Sequence, residues 1–201
     1  MIRHIVFDMG QVLVQFSAGL FTERLHLREE DAELIRREVL ATTEWVRMDR
    51  GTISDDDALE RMCARLPRRL HDTAAYLVHR WNDPIIPVPG MAALACDLKN
   101  AGYDLYLLSN AAARQHTYWH DIPGSQWFSG TFISADYHLL KPEAAIYQAF
   151  FEKFGLIPEE CLFIDDNPAN IEASENAGMR GIIFHGDAAR LRRQLTELGI
   201  L

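Results

Sequence analysis

The chain is poor in lysine and cysteine and has no long apolar run, and each scarcity excludes something. Only three of its 201 residues are lysines, Lys99, Lys141 and Lys153. The overall balance of 20 Lys+Arg against 29 Asp+Glu, a net charge of −9, excludes a non-specific grip on nucleic acid or on an anionic membrane surface. An anionic substrate must therefore be held by a local site. The three cysteines, Cys63, Cys96 and Cys161, are an odd number without a CxxC pair, so buried thiols in a reducing compartment are expected rather than a disulfide framework. No apolar run approaches the ~18 residues of a membrane span, and Asp8 interrupts the only N-terminal stretch that imitates a signal peptide. The expectation is a cytoplasmic protein that engages neither membrane nor nucleic acid. At 48% hydrophobic, the chain has enough apolar residues for the core of one domain, or of a domain with a sizeable insertion.

What is present is an alternation. Ile2 to Phe7 is rich in β-branched and aromatic residues and stops at Asp8, Met9 and Gly10, which predicts a buried strand and a turn. Further short apolar runs at Tyr103 to Leu108, Thr131 to Ser134, Leu162 to Ile164 and Gly181 to Phe184 are separated by helical patterns at Met91 to Ala101, Pro142 to Phe154 and Ile171 to Ala177. Strands alternating with helices of this length predict an α/β protein, a Rossmann-like parallel sheet covered on both faces. Between residues 17 and 83 the spacing becomes helical throughout, which predicts a helical insertion after the first strand. Its 11 Arg against 14 Asp+Glu are mixed and offer no polyanion-binding face. The stretch Pro84 to Pro89 (PIIPVP) is the expected extended return to the sheet. The division is then residues 1–16 and 84–201 as the sheet core and 17–83 as the helical insertion.

In an open parallel sheet, ligands bind outside the carboxyl ends of the strands. The residues just past the apolar runs are Asp8, then Ser109 and Asn110, then Asp165 and Asp166, and Lys141 precedes the proline-started helix. Each alone has an ordinary role as turn residue, cap or solvated charge. Together they differ, because carboxylates converging on one sheet edge repel one another unless a divalent cation and a lysine compensate. Lys99 and Lys153 sit at helix ends, leaving Lys141 for that part. An all-oxygen donor set implies Mg²⁺ rather than Zn²⁺. A carboxylate nucleophile, a hard cation, a hydroxyl, an amide and a lysine constitute a phosphoryl-transfer kit.

Four segments carry a resemblance: FDMGQVLV (Phe7 to Val14), LLSN (Leu107 to Asn110), KPEAAIY (Lys141 to Tyr147) and FIDDNPANIEASENAGM (Phe163 to Met179). In this order they resemble the four motifs of the haloacid dehalogenase (HAD) superfamily, and the match spans nearly the whole chain, with residues 17–83 resembling that family's small helical cap. The nearest subgroup resembles bacterial sugar-phosphate phosphatases of the glucose-1-phosphate phosphatase type. The resemblance implies a Mg²⁺-dependent phosphatase that hydrolyses a small phosphorylated metabolite, such as a sugar phosphate, through an aspartyl-phosphate. It implies Asp8 as nucleophile, Ser109 and Asn110 as ligands of the phosphoryl oxygens and Lys141 as the compensating charge. The implied metal set is Asp8, the Gly10 carbonyl and Asp166, with Asp165 behind or in exchange with Asp166.

One departure stands out. Most phosphatases of the superfamily carry a second Asp two positions after the nucleophile, which protonates the leaving group and later activates water, whereas this chain has Gly10. Water, a residue of the cap, or nothing fills that role. Trp45, Arg47 and Arg50, which lead into the Gly51 break between two helical patterns, are the expected selectors of substrate; His116 and Trp119 are weaker candidates whose alternative is packing. Two other readings stay open. One is a non-catalytic HAD-fold binding or regulatory protein that lost turnover with the second Asp. The other is a metal-independent haloacid dehalogenase, which the Asp165–Asp166 pair argues against.

Overall fold

The computed structural model describes residues 1–201. Five parallel strands form one sheet: β1 (His4–Phe7), β2 (Asp104–Ser109), β3 (Phe128–Ile133), β4 (Cys161–Asp165) and β5 (Arg180–Ile183), in the order β3-β2-β1-β4-β5. Ile5 lies opposite Leu105 on one side and Leu162 on the other, so β1 is central and reads as an apolar run because both of its faces are covered. The chain fills one half of the sheet through β2 and β3, then crosses β1 to fill the other half. The switch falls at the carboxyl ends of β1, β2 and β4, where a crevice forms.

Alternate residues of each strand supply two cores. Ile5, Phe7, Leu105, Leu107, Leu162 and Ile164 face the larger core, with Leu94 and Leu98 of α6 (Met91–Asn100) and Leu191 and Leu195 of α10 (Ala188–Glu197). Val6, Leu108, Phe132 and Phe163 face the smaller one, with Tyr147 and Phe150 of α8 (Ala144–Phe154) and Ile171 of α9 (Pro168–Asn176). Phe150 is fully buried, and its truncation to alanine should cost about 3–5 kcal/mol.

Between β1 and α6 lie α1 (Ala18–Arg24), α2 (Glu29–Ile35) continued by a wide turn at Arg36–Leu40, α3 (Thr43–Asp49), α4 (Asp55–Cys63) and α5 (His71–Arg80), and a short α7 (Gln115–Tyr118) follows β2. Three of these helices start on hydroxyl caps: Ser17, Thr42 and Ser54 accept from the amides of Leu20, Trp45 and Asp57 at 3.1, 3.2 and 3.1 Å, each worth about 1 kcal/mol. The insertion leaves and re-enters as a narrow ribbon, with Gln15 N–H donating to Ile86 O at 2.7 Å and Val88 N–H to Leu13 O at 2.9 Å. PIIPVP is thus the return segment. No helix is long and apolar enough to cross a membrane.

Several boundaries differ from expectation. Helix α8 begins at Ala144 rather than Pro142, because Glu143 is extended (ψ 130°) and its amide closes a turn onto Leu140 O at 2.8 Å. Helix α9 begins at Pro168, where Asn167 caps the Ala169 amide at 2.9 Å. Strand β3 begins three residues before Thr131. Helix α10 was not anticipated; it buries only Leu191 and Leu195 in an otherwise charged segment.

Candidate active site

Lys141 organises the carboxyl edge of the sheet. Its ammonium lies 2.6 Å from Asp165 Oδ2, 2.8 Å from Asp8 Oδ1 and 3.0 Å from Leu108 O, with its side chain 1% exposed. Burial alone would push the ammonium down, but Asp8 and Asp165 outweigh it and hold its pKa above the ordinary lysine value. Burial pushes the Asp8 carboxyl up to about 6, Lys141 opposing and the charge of Asp165 adding to the rise. Asp8 Oδ1 touches the ammonium as an ion pair yet lies off the direction of any hydrogen bond. It therefore keeps capacity for another electrophile.

The two carboxylates at the end of β4 have different surroundings. Asp165 is fully buried and saturated by Lys141, by the Asn167 amide at 2.8 Å and by Asn170 Nδ2 at 3.1 and 3.0 Å to its two oxygens. Asp166 is exposed and receives no hydrogen bond from another residue, while partial burial and the Asp165 charge hold its pKa up. Oxygens of Asp8, Asp165 and Asp166 lie within 4.8 Å of one another. The Gly10 carbonyl beside them is not engaged by any N–H of the chain. A buried acceptor without a hydrogen bond, a free carboxylate and a free carbonyl, all hard oxygen donors, fit a small divalent cation such as Mg²⁺.

Ser109 is 1% exposed and lines the same cavity as Asp8. Asn110 lines it too, but its amide is spent on the main chain of Lys141, donating to Lys141 O at 3.0 Å and accepting from Lys141 N–H at 2.8 Å. The Asn110 side chain thus clamps the main chain that carries Lys141. The cavity, of about 100 Å³, has Asp8, Met9, Gly10, Ser109 and Asn110 at the sheet end. Its other walls are mostly apolar: Phe16, Trp45, Met48, Val78, Trp81 and Tyr118. Phe16 packs edge-on against Trp81 at 4.9 Å, and Trp81 against Tyr118 at 5.4 Å.

Of the expected selectors, only Trp45 reaches this cavity. Arg47 turns to Thr52 O at 3.5 Å. Arg50 is drawn away by the Glu143 carboxylate and by His138 O at 3.2 Å. His116 pairs with Asp136 at 3.0 Å and Trp119 packs on Phe128 at 5.2 Å, so neither lines the cavity. Sequence reasoning missed Asp49, Asp55, Arg114 and Tyr118, which do line it; Arg114 offers a buried Nη1 without a partner. These residues lie outside the four motifs: Asp49 and Asp55 come from the insertion folded over the sheet edge, and Arg114 and Tyr118 from the segment after β2.

The model of the haloacid dehalogenase-like hydrolase family matches residues 2–178. The chain belongs to this family. Among curated relatives, this haloacid dehalogenase-like hydrolase is 25% identical over 183 residues to a sesquiterpene phosphatase of Aspergillus oryzae, covering 88% of this chain and 87% of the relative. It is 29% identical over 111 residues to a flavin mononucleotide hydrolase of Arabidopsis thaliana, covering 55% of this chain and 45% of the relative. Its fold matches a HAD family enzyme of Bacteroides thetaiotaomicron, solved with magnesium and inorganic phosphate, at a TM-score of 0.71 and 20% identity over 95% of this chain and 99% of that one. It also matches an L-2-haloacid dehalogenase of Xanthobacter autotrophicus at 0.66 and 20% identity, over 100% of this chain and 85% of that one.

Proposed function

We propose that this hydrolase is a Mg²⁺-dependent phosphatase that cleaves a small phosphate monoester through a phosphorylated Asp8. The observation that carries this reading is the site floor: one buried lysine set between Asp8 and Asp165, with Asp166 left free beside them. Asp8 and Asp166, with the Gly10 carbonyl, would hold the cation, and Asp165 stands behind them fixing Lys141. When bound, the cation supplies positive charge where a phosphate dianion must meet a carboxylate.

The chain's own residues then divide the work. An Asp8 oxygen attacks phosphorus as the ester P–O bond breaks, giving an aspartyl-phosphate and releasing the alcohol. Lys141 offsets the charge gathered at the reacting centre. Ser109 donates its hydroxyl to a phosphoryl oxygen. Water attacks phosphorus in the second step and returns Asp8 as a carboxylate with inorganic phosphate. A haloacid dehalogenase leaves Asp166 without a part to play, and a binding protein has no use for a nucleophile with a lysine at 2.8 Å.

The helical insertion, residues 17–83, serves as the cap over the core of residues 1–16 and 84–201. Trp45, Met48, Val78 and Trp81 of the insertion enclose the leaving-group end. Walls of that kind satisfy few hydroxyls, so they favour a compact, largely apolar leaving group over the sugar that the sequence resemblance suggests. The test is kcat/KM with Mg²⁺ for short-alkyl, benzyl and hexose 6-monophosphates, all esters of primary alcohols with similar leaving-group pKa. The apolar esters should lead by tenfold or more; equal or better turnover of the hexose phosphates would restore the sugar-phosphate reading.

A further inference from the structure

The missing carboxylate at position 10 leaves the reaction without an obvious proton donor. Space does not explain the loss: a Cβ built on Gly10 would meet only Phe16 Cβ, at 3.9 Å. Another acid lies in the same cavity. Asp49, the last residue of α3, lines it together with Asp8 and Gly10 and forms no ion pair, although Arg47 and Arg50 flank it in sequence.

Asp49 is held there by the core. Ser134 donates its hydroxyl to Asp49 O and accepts from the Ala111 amide at 2.9 Å, which ties the end of α3 to the loop after β2. Arg50 binds the Glu143 carboxylate, and its carbonyl lies 3.0 Å from His138 Nδ1. Gly51, at φ 70°, lies so close to the turn after β3 that a Cβ would come within 2.3 Å of Ala135 O. Three consecutive residues of the insertion are thus docked onto the turn at residues 134–138. The arginine expected to choose the substrate instead fixes the backbone from which Asp49 extends.

We propose, resting on the phosphatase reading above, that Asp49 is the general acid and base of this enzyme, supplied by the insertion in place of the carboxylate absent from position 10. In the first step Asp8 bonds to phosphorus, the ester P–O bond breaks, and the Asp49 proton passes to the departing oxygen, so that a neutral alcohol leaves. In the second step ionised Asp49 takes a proton from water as the water oxygen bonds to phosphorus and the Asp8–phosphorus bond breaks. Asp49 ends protonated, Asp8 ends as a carboxylate, and inorganic phosphate is released. The groups facing Asp49 suit a proton-holding role. Burial, with the charges of Asp8 and Asp55, raises its carboxyl to about 7, opposed only by the Ala112 amide; Tyr118, whose hydroxyl is held up chiefly by burial and in smaller part by the Asp49 charge, is the other titratable neighbour. The nearby Arg114 guanidinium faces Asp55 at 3.8 Å.

The experiment measures kcat/KM of the full chain with Mg²⁺ for small phosphate monoesters spanning a range of leaving-group pKa, in the native protein, Asp49→Asn and Asp8→Asn. Native turnover of nitrophenyl phosphate that disappears in Asp8→Asn upholds the phosphatase reading independently of Asp49. Asp49→Asn should then lose about 10²–10⁴-fold on alkyl esters but less than tenfold on nitrophenyl phosphate, which needs no proton on departure. Its plot against leaving-group pKa should be steep where the native one is shallow. An equal loss on every ester, or no loss, overturns the assignment while leaving the phosphatase reading intact. Absence of native turnover on all esters overturns both. One further readout stands even if Asp49→Asn folds poorly, and a second applies where it folds. The protonated form is the donor, so native activity on alkyl esters should fall as pH rises through the Asp49 titration, whereas activity on nitrophenyl phosphate should not. Gly10→Asp placed in Asp49→Asn should recover alkyl-ester turnover at least tenfold; a shared pH profile for both esters, or no recovery in a folded double variant, counts against the proposal.

Discussion

The two ends of the cavity are built on opposite principles. At the sheet end, Lys141, Asp165, Asn110 and Asn170 hold one another at 2.6 to 3.1 Å in a buried network. At the insertion end, aromatic rings meet edge to face, and the polar groups among them are sparse: Asp49 without an ion pair, Arg114 with an unpartnered Nη1. A network of buried charges tolerates no displacement, because each member left alone costs several kcal/mol, about 3–5 by analogy with broken buried pairs. Apolar walls tolerate exchange of ring for ring at less than about 1.5 kcal/mol when volume is kept. On the proposed function, bond making belongs to the rigid end and choice of leaving group to the adaptable one, with Asp49 as the single chemical group that the insertion would contribute.

Two substitutions sharpen that comparison. The largest effect belongs to the sheet end. Asp8→Asn is nearly isosteric but cannot attack phosphorus, so kcat should fall on the order of 10³-fold or more with the melting temperature little changed; retention of more than a tenth of native activity would remove Asp8 as the nucleophile. A smaller effect belongs to the insertion end. Trp45→Ala takes away a partly buried ring that touches the leaving group in ground and transition states alike, so KM for aryl esters should rise by about tenfold with kcat nearly constant. A fall in kcat without a change in KM would mean that the ring acts on the reacting centre, and the division between the two ends would fail.

The same division governs what can be read without coordinates. The central strands β1 and β4 were legible because both of their faces are buried, which leaves apolar runs bounded by polar residues. Asp8, Asp165 and Asp166 were legible because strand ends in a parallel sheet converge by topology, and Lys141 because the other two lysines sit at helix ends. Nothing in the spacing distinguished Asp165 from Asp166 as acceptors; that depends on Asn170, one helical turn further along, turning its amide onto Asp165. Nor did the spacing show that the Asn110 side chain clamps the main chain of Lys141, 31 positions further along. Helix α10 escaped because two leucines among arginines make a faint apolar face. Arg47 and Arg50 drew attention as cations beside a Gly break, yet the carboxylate between them is the residue that lines the cavity. Which of the three polar residues between 47 and 50 faces inward depends on the docking of Gly51 against Ala135, a contact between segments more than 80 residues apart in sequence. Local pattern carries no record of it.

The central claim is that the acidic floor exists to accept a cation and a phosphate together. The most direct test is turnover of nitrophenyl phosphate by the native protein in Mg²⁺ and in excess EDTA. Hydrolysis is expected with Mg²⁺, none after chelation, and full recovery when Mg²⁺ is restored, since Asp8, Asp165, Asp166 and a phosphate dianion repel one another without it. Undiminished hydrolysis in EDTA would contradict the claim and place the chemistry with the metal-free hydrolases of the same fold.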